Sequence, residues 1–92
     1  MAIYEPPDEV AFAAWRDANP NGYIINTERR GSGYVLLHRA TCTHMRSQPP
    51  FINTTYTKVC SDSPSELDLW ALQRSGAAAR RCKARGTNCW QR

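Results

Sequence analysis

The sequence has no apolar run long enough to cross a bilayer as a helix. Its N-terminus also lacks the basic start and apolar stretch of a secretory leader, so a cytoplasmic location is expected. Hydrophobic residues are few, 41% of 92, which supports one thin core and little more. No internal repeat, low-complexity tract or long linker divides the chain, leaving a single domain over 1–92. Acidic residues are scarce too: eight stand against twelve Lys and Arg, for a net charge of +4.

The charge is unevenly placed. The first twenty residues hold Glu5, Asp8, Glu9 and Asp17 against Arg16 alone. Basic residues gather later, in Arg29-Arg30, Arg39 and Arg46, and above all in Arg74, Arg80, Arg81, Lys83, Arg85 and Arg92. That asymmetry suits an anionic partner such as nucleic acid, although the same residues also keep a small domain soluble. Signals for catalysis are missing. A hydrolytic zinc site needs an open coordination position and a carboxylate base, and no spacing aims Glu66 or Asp68 at a metal. A Cys-His pair drawn from Cys42 with His44 or His38 has no accompanying oxyanion or orienting signature. The expectation is a protein that binds and is not an enzyme.

The chemistry that is present lies in two histidines and four cysteines. His38 and Cys42 stand four apart at the end of the apolar run Tyr34-Val35-Leu36-Leu37, and the basic tail supplies Cys82 and Cys89. Four imidazole or thiolate donors from two separated segments are what a structural zinc ion requires, and its binding energy becomes folding energy. His44 and Cys60 are the reserve donors. His44 otherwise reads as a loop residue or one that orients a ligand, and Cys60 as a small core residue. In a reducing compartment thiols or metal ligands are favoured over disulfides; oxidation of Cys82 with Cys89 or Cys60 stays open.

Element signals point to an α+β fold. Met1 to Pro7 is extended. A helix is predicted over Asp8 to Ala18, with Ala11, Phe12, Trp15 and Ala18 on one face, ended by Asn19-Pro20-Asn21-Gly22. Tyr23 to Thr27 and Tyr34 to His38 form a β-hairpin about a glycine-containing turn, and a third strand follows a 47–50 loop over Thr54 to Cys60. Ser63-Pro64-Ser65-Glu66 is a capping box that starts a helix at Pro64, with Leu67, Leu69, Trp70 and Leu72 on its apolar side and Gly76 as its stop. Ala77-Ala78-Ala79 then leads into a C-terminal zinc knuckle.

In this order, a strand, His38-Arg39-Ala40-Thr41-Cys42, the Glu66 to Gly76 helix and Arg81-Cys82-Lys83 give residues 34–89 a family likeness. The segment resembles the small zinc module of Ada-type DNA methyl-phosphotriester repair proteins and related modules appended to nucleases. Those modules carry Cys-x3-Cys or His-x3-Cys, a helix with its glycine, then Arg-x-Cys-x2-Cys. The resemblance implies a zinc ion on His38, Cys42, Cys82 and Cys89. It departs in two ways: the last pair is spaced Cys82-x6-Cys89, and His38 stands where the repair modules place the methyl-accepting thiolate. Zinc-bound imidazole is a spectator, so that activity is not carried over.

The reading is thus a non-catalytic zinc-stabilised module that contacts nucleic acid through Arg39, Arg80, Arg81, Lys83 and Arg85, with Tyr56 or Trp90 stacking on a base. The alternative is a small factor encoded by a phage or mobile element that occupies a host protein's surface through Tyr and Trp anchors.

Overall fold

The computed structural model describes residues 1–31, 33–46, 55–86 and 88–90. In chain order the elements are β1 (Ala2–Tyr4), α1 (Glu9–Ala18), β2 (Tyr23–Glu28), β3 (Val35–Arg39), a 3₁₀ turn (Thr43–Met45), β4 (Tyr56–Ser61), α2 (Pro64–Ser75) and β5 (Arg80–Arg81). They make the expected α+β domain, with one five-stranded sheet ordered β1-β4-β2-β3-β5. Every pairing is antiparallel except the edge pair β3–β5, where Leu36 faces Arg80 and Leu37 faces Arg81 in parallel. The extended lead-in is strand β1, and the segment after Ala79 supplies β5; neither pairing was expected. The 47–50 loop and the start of the third strand at Thr54 lie outside the described residues.

Alternation along the strands sorts the core into two sides. Ala2, Cys60, Ile24 and His38 form one row across the sheet. On that side Ile24 and Cys60 pack with Phe12 of α1 and with Ala40, Cys42, Met45, Cys82 and Cys89. On the other side Ile25, Val35, Leu37 and Val59 pack with Leu67 and Ala71 of α2. The helices therefore cover opposite faces.

Each helix buries less than its pattern predicts. In α1 Phe12 is buried and Trp15 half-buried, while Ala11 and Ala18 are exposed. In α2 the buried pair is Leu67 and Ala71, four apart and hence on one stripe; Leu69 and Leu72 point to solvent, because steps of two and five residues turn away from it. The capping box forms only in part. Ser63 Oγ accepts the Glu66 N–H at 3.3 Å, but Glu66 turns its carboxylate to the Ser61 hydroxyl at 2.6 Å, and the Ser63 N–H donates to Ser61 Oγ at 3.0 Å. Gly76 closes the helix at φ 83°, a left-handed position suited to glycine. Gly22 matters for closeness instead: a Cβ there would lie 2.7 Å from Trp15 Cη2 and 3.1 Å from Asn19 O, so a side chain would force the tight turn from α1 into β2 to shift.

Candidate metal centre

The donors are assembled by backbone hydrogen bonds at the end of β3. Ala40 N–H donates to Gly22 O, Cys42 N–H to Arg39 O and Met45 N–H to Cys42 O, each at 2.9 Å. The Arg46 guanidinium holds Ala40 O and that of Arg16 holds Met45 O, both at 2.9 Å. These bonds fold the 38–45 segment so that His38, Cys42 and His44 converge. The parallel β3–β5 edge then delivers Cys82, whose N–H donates to Leu37 O at 2.9 Å. A loop closed by Trp90 N–H to Cys82 O at 3.0 Å returns Cys89 to the same place. Asn88, at φ 59°, makes the turn before Cys89, a conformation that asparagine tolerates better than most residues. Its carbonyl accepts the Thr41 hydroxyl at 3.2 Å.

Ligand atoms of His38, Cys42, His44 and Cys82 all lie within 4.8 Å of one another. Cys82 Sγ is 3.8 Å from His44 Nδ1, and Cys89 Sγ is 3.9 Å from His38 Nδ1. Tetrahedral zinc with Zn–S near 2.3 Å and Zn–N near 2.1 Å has N···S edges of about 3.6 Å, so both gaps are a few tenths of an ångström wide of bonding positions. These five residues are close together and could hold a metal ion. His38, Cys42, Cys82 and Cys89 are buried, whereas His44 is exposed on its turn. Cys89 Sγ also accepts the Arg39 backbone N–H at 3.3 Å, a bond that favours thiolate over thiol.

Burial governs the protonation of the donors. Burial first, then the His44 and Lys58 charges, bring His38 down to about 4, which keeps a ring nitrogen available as a donor atom. Burial pushes the Cys89 thiol up to about 12. Thiolates in this setting need a positive partner, which a bound metal supplies by deprotonating the thiols outright. None of the four cysteines forms a disulfide. Cys60 is set apart: Ile24 of β2 stands between it and His38, so two strand spacings, roughly 9–10 Å, separate their backbones. It borders a different cavity of about 270 Å³ with Trp15 and Asn19.

The basic residues fall into two groups. Arg39, Arg80, Lys83 and Arg85 are exposed. Arg81 is half-buried and grips Asp68 of α2 with two bonds at 2.6 and 2.8 Å. Trp90 is packed internally: its ring stacks on Tyr23 at 5.6 Å and 16°, the guanidinium carbons of Arg39 and Arg81 lie 5.5 and 5.4 Å from its centre, and its indole N–H donates to Leu37 O at 3.1 Å. Tyr56 is half-buried and meets Tyr34 edge to face at 5.9 Å.

No family model, curated protein or solved structure matches the chain. Among the described residues no helix is long and apolar enough to cross a membrane. Of the two reserve donors that the sequence offers, His44 lies in the cluster and Cys60 does not; the direction of His44 depends on the 3₁₀ turn. The pins supplied by Arg16 and Arg46 have no sequence signal, since they join positions 29 and 6 residues apart to main-chain oxygens.

Proposed function

We propose that this chain is a zinc-stabilised, non-catalytic module that binds nucleic acid along its β3–β5 edge. The observation that carries the metal half is the convergence of five imidazole and thiol donors from two segments 38 to 51 residues apart. Zinc is the ion that mixed nitrogen and sulfur donors at tetrahedral spacing favour. His38, Cys42 and Cys82 are common to both possible ligand sets, and Cys89 is the fourth ligand in this reading because it is buried and already receives a main-chain N–H. Four protein donors fill the coordination sphere and leave no position for a substrate. The two carboxylates of α2, Glu66 and Asp68, are engaged with Ser61 and Arg81. That set is the one expected from the Ada-type likeness, with His38 a spectator in place of a methyl acceptor.

The partner half rests on charge. Arg39, Arg80, Lys83 and Arg85 are exposed on or just beyond the edge pair, while Arg81 belongs to the fold. Four phosphate contacts give a log–log salt slope of about −3.6 on duplex DNA and about −2.8 on a single strand. Fluorescence anisotropy with labelled oligonucleotides from 50 to 300 mM KCl reads that slope directly. A Lys83→Glu/Arg85→Glu variant that binds as tightly as wild type, or affinity indifferent to salt, would overturn the assignment. Leu69 and Leu72, exposed one turn apart on α2, favour a second reading as a protein-binding face. Salt-tolerant capture of one protein, lost in Leu69→Ser/Leu72→Ser, is its signature.

A further inference from the structure

Of the aromatic side chains among the described residues, Tyr34 alone is exposed, at 42%. It lines a cleft of about 200 Å³ together with Gly33, Val35, Leu36 and Arg80. Leu36 and Arg80 are register partners on the parallel edge, so an aliphatic and a cationic residue of the lining come from adjacent strands. Leu36 precedes His38 by two positions, which puts the cleft on the metal-centre side of the sheet, about 7 Å along β3 from the first donor. The volume is below the ~300–1,000 Å³ of pockets that take drug-sized ligands, and it admits a single ring system.

The geometry points to this cleft as the seat of one base of a single-stranded nucleic acid, stacked against Tyr34, with the adjoining phosphate on Arg80. Three observations select that occupant. The lining combines aliphatic and aromatic residues with one cation, which is the pairing that single-strand readers use. Lys83 and Arg85 follow Arg80 within five residues and are both exposed, so further positive charge lies close to it along the chain. Trp90, which composition alone would nominate for stacking, already lies against Tyr23 and two guanidinium groups. In a duplex the bases are stacked on one another, so a reader of this kind prefers single strands.

This inference rests on the nucleic-acid reading above, and the test separates the two. The full-length protein is titrated against a labelled ten-nucleotide oligothymidylate and against an oligomer of equal length and charge made of abasic residues. Stacking of one base is worth about 1–3 kcal/mol, so wild type should bind the thymidylate roughly 5- to 150-fold more tightly. Tyr34→Ala should erase that preference with little change in binding to the abasic oligomer, Tyr34→Phe should keep it, and Arg80→Gln should weaken both. Because Tyr34 and Arg80 are exposed, a thermal melt of each variant close to wild type verifies that folding is intact. Equal affinity for the two oligomers, or a preference that survives Tyr34→Ala, overturns the base cleft while leaving the phosphate surface standing. Failure to bind either oligomer removes both.

Discussion

Replacing Cys42 by Ser, with Cys60→Ser as its control, separates a metal ligand from an ordinary buried thiol. Both cysteines are fully buried and both pack into the same core cluster, so the lost packing is alike. They differ in surroundings: Cys42 has His38, His44 and Cys82 within ligand distance, and Cys60 stands beyond Ile24. A structural zinc contributes about 10–16 kcal/mol of apparent binding energy in small domains. The whole stability of a chain this size is about 5–14 kcal/mol, so losing a ligand should leave little or no folded protein at 25 °C. Cys60→Ser instead places a hydroxyl in an apolar site, at a cost of about 1–3 kcal/mol. In a domain of this size that lowers Tm by roughly 5–20 °C. Circular dichroism melts with and without a chelator are the assay. Cys60→Ser should melt cooperatively and lose further stability on chelation, whereas Cys42→Ser should be indifferent to the chelator. Equal melting losses in the two variants, with chelator sensitivity kept in both, would refute the reasoning.

Two further outcomes are expected. Zinc competes with protons for its donors, and buried His38 is held near 4 against an ordinary 6.5, so the unfolded chain takes up the extra proton and the metal-bound protein should lose stability as pH drops below about 6.5. Urea melts of the zinc-loaded protein at stepped pH should fall in that window, with zinc released as the protein unfolds. Ser63→Ala removes the α2 cap and should cost about 1 kcal/mol, measured as a shift in the urea midpoint with zinc content unchanged.

The local signals of the fold were legible because they are local. The Ser63-Pro64 start and Gly76 stop of α2, the β-branched run of β2 and the apolar run of β3 each state a backbone preference within a few residues. The pairings of β1 and β5 were not, since strands of three and two residues carry no periodicity and exist only through β4 and β3. At the site, the donor types and the His38–Cys42 spacing could be read in advance. The approach of His44 to Cys82 and of Cys89 to His38 could not, because each depends on a turn or closed loop set by contacts remote in sequence. The same holds for the basic tail. Arg80 and Arg81 are neighbours in sequence, yet strand alternation sends one to the cleft and the other to Asp68 under α2.

Native mass spectrometry of protein purified under reductant, repeated after denaturation, tests the central claim most directly. Metal content and thiol state are then read from the same sample. One zinc per chain, released on denaturation with all four cysteines reduced, is the predicted result. A folded chain whose native mass equals that of the bare polypeptide, or falls short of it by the two hydrogens of a disulfide, would contradict it.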